Sequence, residues 1–391
     1  MKILAFSYDY RPATGGIATC AYELLRALAR IPGVEVRLIA PAASGGETFD
    51  QRSGVHTRRI ALSCRPEYAA FQAVRELRRE YAAFTPDVVL NFLWLPDGSA
   101  TRLAFGNRAR SYVLAHGVEV LEARSTLRKR VRALLAGWKR GVFRDAAGVF
   151  AVSRYTAELV RDRCAVPAER IAVIYNGVDT ARFSPGPPSA SLRDRYGLHG
   201  KKVILTVTRL VDYKGIDVTL HALREVREEF PDVQYLIGGE GADRARIERL
   251  AADLGLTDRV RFLGPIAGEE LPDYFRLADV FVMPSRSDLV TPNIEGFGLV
   301  YLEAAGCGKP SIAGHAGGVP DAVIDGETGW LVNPENPRDV ARAMRECFLN
   351  PAGAAKRGEQ ARLRVEETFQ WKHVAERVLD EFRKGPRHVR N

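Results

Sequence analysis

The stretch Lys202–Phe230, KVILTVTRLVDYKGIDVTLHALREVREEF, contains the unit that repeats along this chain. It opens with an apolar, mostly β-branched run, continues through a polar turn, and closes with apolar residues at helical spacing. A strand that is apolar on both faces and is followed by a helix is typical of parallel sheets covered on each side. The stretch therefore predicts one strand of such a sheet and one of its covering helices.

Similar apolar runs occur throughout the chain, with helical patterns between them. The first half contains KILAFSY, EVRLIAP, DVVLNFLW, SYVLAHG, GVFAVS and IAVIYNG, and the second contains KVILTVTRL, VQYLIGGEG, VRFLGPI, VFVMPS, KPSIAG and TGWLV. This alternation predicts an α/β protein with about six strands in each half. We expect two doubly wound, Rossmann-like parallel-sheet domains that face each other across a cleft, with ligands at the carboxyl ends of the strands.

The segment RFSPGPPSASL, residues 182–192, is the best candidate for a domain boundary because proline, glycine and serine dominate it. A chain of 391 residues is also longer than one core usually organises. We predict an N-terminal domain over 1–181, a linker over 182–192 and a C-terminal domain over 193–371. The closing helix, residues 372–386, is expected to pack back on the N-terminal domain.

The composition excludes several classes of protein. Hydrophobic residues make up 46% of the chain and charged residues 27%, as in globular proteins, and no apolar run is long enough for a membrane span. The five cysteines are widely spaced without a C-x-x-C pair, so a disulfide or zinc framework is not expected. The start MKILAFSYDY indicates a first strand rather than a signal peptide. The expected location is cytoplasmic, with peripheral attachment at the inner face of the cell membrane.

The net charge of +9 is concentrated in the first half of the chain. Residues 1–180 hold 27 Lys+Arg against 17 Asp+Glu, a balance of +10, and the remainder holds 30 against 31. The stretch RSTLRKRVRALLAGWKRGVFRDA has eight cations and no acid from Arg124 to Arg144. Such a basic amphipathic helix can lie on an anionic membrane surface, or it can bury its apolar stripe in the domain core. No recognisable nucleic-acid motif accompanies the cations, so a nucleic-acid partner is not expected.

Three loops at predicted strand ends of the second domain could bind a ligand. TVTRLVDYKG places Arg209 and Lys214 before a helix, an arrangement that indicates an anion site or a solvated turn. YLIGGEG lacks the G-x-G-x-x-G spacing, so a plain turn explains it about as well as a phosphate loop. RFLGPI, which contains Gly264 and Ile266, is a strand end whose backbone could face a planar base.

The segment EGFGLVYLE sets Glu295 and Glu303 eight positions apart across an apolar run. We predict that Glu295 lies in a loop, that a helix starts near Gly298, and that Glu303 lies inside it. Backbone N–H groups of its first turn, with Phe297 and Leu299 beside Gly298, would then lie between the two acids. Carboxylates and N–H groups together suit a polyol more than a metal, and a buried helix with salt-bridged acids is the alternative.

These pieces occur in an order that resembles the retaining glycosyltransferases of the GT-B fold, family 4, over nearly the whole chain. The resemblance is carried by TRLVDYKG and EGFGLVYLEAAGCGKPSIAGHAGGVPDAV, together with YNGVD at 175–179, Gly15–Gly16 and His116–Gly117. It implies transfer of a hexose from a nucleotide diphosphate sugar, GDP-mannose or a UDP-sugar, with no cofactor. The acceptor would be a hydroxyl that is lipid-linked or part of a cell-envelope glycan, since lipid-acceptor mannosyltransferases are the most similar members.

The resemblance also implies roles for individual residues. Arg209 and Lys214 would clamp the diphosphate, Glu303 would bind the ribose, and Glu295 would hold the donor sugar. Gly15 and Gly16 would approach the phosphates, and His116 would lie beside the reacting sugar. The implied catalytic residues are Arg209, Lys214, Glu295 and His116, and the implied nucleotide-sugar-binding residues are Gly15, Gly16, Arg209, Lys214, Gly264, Ile266, Glu295, Phe297, Gly298, Leu299 and Glu303.

The sequence contains no D-x-D, the usual metal–diphosphate motif of the other major transferase fold, so metal independence is predicted. The resemblance favours front-face attack, with the departing phosphate as the base. Two other readings stay open: a sugar-nucleotide epimerase with the same two-domain layout, and a basic anion-binding protein without catalysis. A soluble small-molecule acceptor is a further alternative within the transferase reading.

Overall fold

A computed structural model describes residues 1–121, 129–287 and 293–385, the side chains of 129–134 excepted. The chain forms two compact units: unit 1 is Met1–Gly177 with Trp371–Asn391, and unit 2 is Val178–Gln370. Unit 2 therefore begins before the predicted linker. The reason is packing, because Phe183 is buried and its carbonyl oxygen accepts a hydrogen bond from Arg362 at 2.7 Å.

Unit 1 is built on a parallel sheet of seven strands. Its strands are β1 (Lys2–Phe6), β2 (Glu35–Pro41), β3 (His56–Ile60), β4 (Val88–Asn91), β5 (Ser111–Ala115), β6 (Gly148–Ala151) and β7 (Ile171–Val173), in the order β3-β2-β1-β4-β5-β6-β7. Its helices before the second unit are α1 (Gly16–Ala29), α2 (Gly46–Ser53), α3 (Pro66–Phe84), α4 (Ser99–Phe105), α5 (Lys129–Asp145) and α6 (Arg154–Cys164). Apolar residues of β1 and α3, among them Phe6 and Leu77, share one core cluster.

Strand β3 was not predicted, because its sequence HTRRI is polar. It lies at the edge of the sheet, where it pairs only with β2. Arg58 forms ion pairs with Glu76 at 2.7 Å and Glu80 at 3.4 Å, and Arg59 pairs with Asp50 at 2.8 Å. Ion pairs with side chains of neighbouring helices therefore stabilise this edge strand, whose own side chains are too polar to do so by apolar burial.

Unit 2 is built on a parallel sheet of six strands. Its strands are β8 (Lys202–Val207), β9 (Val233–Gly238), β10 (Val260–Gly264), β11 (Val280–Met283), β12 (Ser311–Gly314) and β13 (Gly329–Val332), in the order β10-β9-β8-β11-β12-β13. Its helices are α7 (Ala190–Tyr196), α8 (Ile216–Val226), α9 (Arg244–Asp253), α10 (Leu271–Leu277), α11 (Leu299–Gly306), α12 (Val319–Ala322), α13 (Pro337–Leu349) and α14 (Pro351–Thr368). Strand β9 is buried along its whole length, as the continuous apolar run predicts.

The last helix, α15 (Trp371–Lys384), belongs to unit 1. Its Phe382 is fully buried, with ring centroids 4.7 Å from Tyr112 and 5.7 Å from Phe150. The chain thus returns to the first sheet after completing the second. No helix within the described ranges combines the length and the apolar character that crossing a membrane requires.

Both sheets reverse their winding direction at one place. In unit 1 this is where β1 lies beside β4, and in unit 2 where β8 lies beside β11. At such a switch point the loops that follow the two strands diverge and leave a crevice, which is where open α/β sheets bind ligands. The loops after β1, β4, β8 and β11 are therefore the places where the fold puts functional residues.

Candidate functional site

The switch point of unit 2 brings Lys214 and Glu295 into contact. Lys214 ends a helical turn, Asp212–Lys214, in the loop after β8, and Glu295 lies in the loop after β11. The Lys214 ammonium donates to a carboxylate oxygen of Glu295, and the two side chains are only 10% and 14% exposed. An ion pair largely shielded from water thus joins the two loops of the switch point.

The pKa of Lys214 results from opposing effects. Burial is the largest single effect and lowers it, but the Glu295 carboxylate and Tyr213 together act more strongly in the opposite direction, so that the pKa is raised above the usual lysine value. The Arg209 guanidinium acts in the lowering direction, which shows that the second predicted cation is close enough to influence the first. Arg209 itself is exposed. Two cations, one of them buried and held in its charged form, therefore lie near each other in the loop after β8, and their role as an anion site stays a prediction.

A network of ion pairs fixes the turn that carries Lys214. Arg286 donates to Asp212 at 2.6 Å and to Asp217 at 2.9 Å. Arg246 also reaches both carboxylates, at 3.1 Å and 3.5 Å. Because the two aspartates lie on either side of Lys214 in the sequence, the two arginines hold the turn at both ends.

The glycine-rich turn after β9 supports the loop that carries Arg209. A Cβ at Gly239 would lie 1.8 Å from the carbonyl oxygen of Thr208, and one at Gly241 would lie 2.1 Å from that of Leu210. The Leu210 amide donates to the carbonyl of Glu240 at 2.9 Å. These contacts explain GGEG as a close packing of two backbones, so the plain-turn reading accounts for these glycines without a phosphate.

The structure places Glu295 and Glu303 as predicted, in the loop and inside helix α11. The helix begins at Leu299, directly after Gly298, and Glu303 lies half-buried in its second turn. The Phe297 side chain is buried, with its ring centroid 5.8 Å from that of Phe369. The Phe297 side chain therefore packs in the interior of unit 2, and the backbone role predicted for this residue stays a prediction.

A second segment contacts the loop that carries Glu295, and its role was not predicted. The Gly318 amide donates to the Glu295 carbonyl at 2.9 Å, and a Cβ at Gly317 would lie 2.4 Å from the same oxygen. The stretch HAGGVP therefore lies directly against the backbone of Glu295. The paired glycines are its signal in the sequence, since close backbone approach is a common reason for glycine.

Gly264 ends β10 and Ile266 follows it, two strands from β8 in the sheet. The Gly264 carbonyl accepts a hydrogen bond from the Gly239 amide at 2.7 Å. Ile266 packs over Gly238, where a Cβ would lie 2.5 Å from the isoleucine Cδ1. Both residues thus lie beside the turn after β9, at the same end of the sheet as Arg209.

His116, Gly15 and Gly16 lie in unit 1, at the carboxyl ends of its strands. His116 follows β5, and its Nε2 lies 3.0 Å from the Phe92 carbonyl oxygen. A carbonyl only accepts, so Nε2 carries the proton and Nδ1 is the acceptor. Burial lowers the pKa of His116, although Glu119 acts to raise it, so the imidazole is neutral at pH 7.

The two glycines are exposed and start helix α1. Gly15 has a φ of +131°, which L side chains rarely adopt, while no atom lies within 4 Å of where its Cβ would be. Its requirement for glycine is therefore conformational. The N-cap residue is Gly15, so no N-cap side chain accepts a hydrogen bond from the first-turn N–H groups of this 14-residue helix.

A buried carboxylate, Asp97, lies at the switch point of unit 1 and was missed. It is fully buried and accepts hydrogen bonds from the backbone amides of Tyr8 at 3.0 Å, Phe92 at 3.2 Å and Leu93 at 3.1 Å. Burial raises its pKa well above the usual value, and these amides act in the opposite direction. Asp97 thus ties the loop after β1 to the loop after β4. In the sequence WLPDG it resembles an ordinary turn aspartate.

The described part of the basic stretch packs into unit 1. Val142 is buried, Trp138 donates to the Ser99 hydroxyl at 3.0 Å, and buried Lys139 donates to the Val120 carbonyl at 2.6 Å. Val142 and the partly buried Trp138 therefore follow the core alternative, whereas Leu135 of the same stripe is 37% exposed. Residues 122–128, including Arg124 and Arg128, lie outside the described residues.

The geometry can be compared with known proteins. Residues 190–364 match the family "Glycosyl transferases group 1", and residues 14–182 match "Glycosyltransferase Family 4". The chain is 33% identical to a GDP-mannose-dependent alpha-(1-6)-phosphatidylinositol monomannoside mannosyltransferase of Mycolicibacterium smegmatis, covering 99% of this chain and 100% of that protein. It is 31% identical to a D-inositol 3-phosphate glycosyltransferase of Streptomyces scabiei, covering 93% and 85%.

Solved structures agree with this result. The sucrose-phosphate synthase of Thermosynechococcus elongatus superposes with a TM-score of 0.79 at 25% identity, covering 98% of each chain. Anabaena HepE in complex with UDP gives a TM-score of 0.79 at 21% identity, covering 98% of this chain and 100% of that one, which shows a shared fold. The two parallel-sheet units are those of the predicted GT-B fold, and the chain belongs to glycosyltransferase family 4 and is a glycosyltransferase.

Proposed function

We propose that the chain is a retaining hexosyltransferase that moves mannose from GDP-mannose to a hydroxyl of a lipid-linked acceptor. One observation carries the proposal: the 33% identity to the phosphatidylinositol monomannoside mannosyltransferase extends over 99% of this chain and 100% of that protein. Similarity over both units includes the acceptor half as well as the donor half. A UDP-sugar is the alternative donor.

The ion pair of unit 2 supports a nucleotide diphosphate sugar as the donor. Lys214 and Glu295 are in contact, so a ligand that has an anionic group beside a hydroxyl-bearing one can meet both. As the bond from the anomeric carbon to the diphosphate breaks, negative charge grows on the diphosphate. Fixed cations stabilise that charge without having to reorganise. Lys214, with its raised pKa, and Arg209 are proposed to do so.

The α11 segment is proposed to hold the sugar and the ribose. Backbone N–H groups at the start of a helix, here at Leu299, donate to oxygen atoms and lie at the positive end of the helix dipole. Glu295 would accept from hydroxyls of the sugar and Glu303 from those of the ribose. Gly264 and Ile266, at the same end of the sheet, would border the base.

His116 is proposed to contact the reacting sugar, and Gly15 and Gly16 the phosphates. The neutral imidazole has its Nε2–H directed to the Phe92 carbonyl, which leaves Nδ1 to accept from a hydroxyl. In front-face attack the departing phosphate takes the acceptor proton, so no side chain has to act as the base. The bond to the acceptor oxygen then forms on the face that the diphosphate leaves.

We also propose that the reaction requires neither a divalent metal nor a resident cofactor. The support is the pair of cations, Lys214 and Arg209, which can supply the charge stabilisation that a metal supplies in other transferases. The expectation is full activity in the presence of EDTA. Peripheral attachment to the cytoplasmic membrane face, which a lipid-linked acceptor would require, is part of the same proposal.

A soluble acceptor is the second candidate. The D-inositol 3-phosphate glycosyltransferase of Streptomyces scabiei covers 93% of this chain at 31% identity, only slightly less than the mannosyltransferase. A sugar-nucleotide epimerase is the alternative outside the transferases. The three differ in what happens to the sugar once it leaves the nucleotide.

A thermal-shift panel of GDP, UDP and their sugars, followed by product analysis, tests the proposal. A ligand that binds only the native state raises the melting temperature, and we expect GDP and GDP-mannose to do so. GDP should be released only when a phosphatidylinositol mannoside is supplied, and NMR should show the α-anomer in the product. Release without acceptor, with an epimerised free sugar, would establish the epimerase instead. Transfer to inositol phosphate alone would establish the soluble acceptor.

A further inference from the structure

Helix α3 exposes two aromatic side chains on the surface of unit 1. Tyr68 is 59% exposed and Phe71, one turn later, is 67% exposed. The opposite face of the helix is buried, since Ala70, Ala73 and Leu77 pack in the core beside β1. Exposure of a phenylalanine ring to water is unfavourable in free energy. Two large exposed rings side by side therefore indicate a surface that binds a partner.

The charges of α3 are divided between its two sides. Glu76 pairs with Arg58 of β3 at 2.7 Å, and Glu80, buried, lies 3.4 Å from Arg37 and from Arg58. These acids therefore face the sheet. The outward side carries arginines instead, and Glu67 is the acid exposed beside them.

Four side chains form what we call the outer face of α3: Tyr68, Phe71, Arg75 and Arg79. Their spacing of three to four residues puts them on one side of the helix, over about 16 Å of its length. Arg75 and Arg79 are exposed, and neither forms an ion pair within the described part of the chain. Arg65, exposed at the start of the helix, lies 6.0 Å from the Tyr68 ring and adds a further cation.

We propose that the outer face of α3 docks unit 1 on the surface of an anionic phospholipid bilayer. Burying Phe71 requires an apolar partner, while Arg75 and Arg79 require anions. A bilayer interface supplies both within the width of one helix, because acyl chains begin directly below the headgroup phosphates. Tyr68, with an apolar ring and a polar hydroxyl, suits the level of the headgroups.

The membrane contact is assigned to α3 and not to the basic stretch at 124–144, because the exposed apolar side chain in the described part of that stretch is Leu135 at 37%, less exposed than either ring of α3. The biological role of this docking rests on the proposed lipid-linked acceptor. Vesicle binding itself does not, since it is measured without donor or acceptor. Activity and vesicle binding can therefore fail separately. Failure of the wild type to bind anionic vesicles, together with retained transfer to a detergent-solubilised acceptor, would reject the docking face and leave the proposed reaction intact.

Sedimentation with sucrose-loaded vesicles tests the proposal. The full chain is mixed at low salt with vesicles of phosphatidylcholine alone and with vesicles that contain 30% phosphatidylglycerol. We expect binding to the anionic vesicles only. Tyr68→Ser/Phe71→Ser should weaken it at least tenfold, and Arg75→Gln/Arg79→Gln should weaken it about fivefold for each arginine. All four side chains are exposed, so the variants should fold as the wild type does.

Two control variants test the position of the face. Leu349→Ser/Leu363→Ser removes two exposed leucines of unit 2, which are 67% and 49% exposed. Arg140→Gln/Arg144→Gln removes two exposed arginines of α5. Both should bind vesicles as the wild type does.

Three results would overturn the proposal: no binding of the wild type to anionic vesicles, unchanged binding of the α3 variants, or loss of binding in either control equal to that in the α3 variants. Binding to heparin without binding to vesicles would also overturn it, because the partner would then be another polyanion.

Discussion

The two switch points hold buried charges in different ways. In unit 2 the cation Lys214, in the loop after β8, is matched by the carboxylate Glu295, in the loop after β11. In unit 1 the carboxylate Asp97, after β4, is matched by backbone amides alone among the residues that the structure describes, and one of these amides, that of Tyr8, follows β1. One switch point is joined by a pair of opposite charges and the other by dipoles around a single charge.

The difference has a functional meaning. A charge pair can exchange partners, because Lys214 can donate to a phosphate and Glu295 can accept from a hydroxyl without either being left buried and alone. The three amides around Asp97 all donate to that one buried carboxylate, which therefore fixes the loops after β1 and β4. We therefore expect changes in unit 2 to affect turnover first, and changes in unit 1 to affect stability first.

The largest effect is expected for Lys214→Ala. Removal of one group that stabilises transition-state charge lowers turnover by ~10²-fold or more, and Arg209→Ala should act in the same direction. Steady-state kinetics with saturating donor measures this. Lys202→Ala is the matched control, since that lysine lies at the opposite end of β8 and pairs with Asp232 at 2.9 Å. Wild-type turnover in the Lys214 and Arg209 variants would overturn their assignment.

The charge pair itself can be tested by a double-mutant cycle. Glu295→Gln leaves the Lys214 ammonium largely buried without a counter-charge and should lower the free energy of unfolding by about 2 kcal/mol, less than for a fully buried pair. Lys214→Met/Glu295→Gln removes both charges and should cost less than Glu295→Gln alone. Urea denaturation measures all the variants. Simple additivity of the two single changes would show that the pair does not act as a unit.

Asp97→Asn tests the dipole arrangement of unit 1. One side-chain oxygen becomes an NH₂ group, which must face at least one backbone amide, so we expect a loss of about 1.5 kcal/mol in the free energy of unfolding. Turnover at a temperature where the variant is folded should fall much less than in Lys214→Ala. Chemical denaturation and kinetics on the same preparation separate these effects. A variant as stable as the wild type would contradict the role of Asp97.

The smallest effect is expected from the protonation of His116, which makes the free energy of unfolding depend on pH. Its pKa is lowered in the folded state, so as pH falls the unfolded chain takes up the proton first and stability decreases. Its contribution is fully present above the ordinary histidine pKa and is lost as the pH falls through the lowered folded-state pKa. His116→Gln should remove this part of the slope. The exposed His199 provides the control variant, His199→Gln. An unchanged slope in His116→Gln would contradict the neutral imidazole.

Much of unit 2 could be predicted because its signals are local. Strand β8, the cations Arg209 and Lys214, and helix α8 follow one another in a single stretch. Glu295 and Glu303 lie within nine residues of each other. The contact of Glu295 with Lys214, by contrast, depends on β8 and β11 being neighbours in the sheet. Sequence order does not give that adjacency, but the winding of the sheet does.

Unit 1 was harder to predict because its key contacts join distant residues. Asp97 acts on the Tyr8 amide 89 positions away. Arg58 and Arg59 contribute to the positive balance of the first half, yet acids on α2 and α3 pair with them. A count of charges gives the net balance, but only the fold shows which cations are already paired. For this reason the outer face of α3 could not be distinguished in the sequence from the other arginines.

The central claim is that Lys214 and Arg209 hold the diphosphate of the nucleotide. Calorimetric titration of GDP into the wild type and into Lys214→Ala, both in EDTA, tests it most directly. We expect the wild type to bind GDP without a divalent ion and the Lys214→Ala variant to bind GDP at least tenfold more weakly. Equal affinity of the two proteins, or binding that appears only when a divalent ion is added, would contradict it.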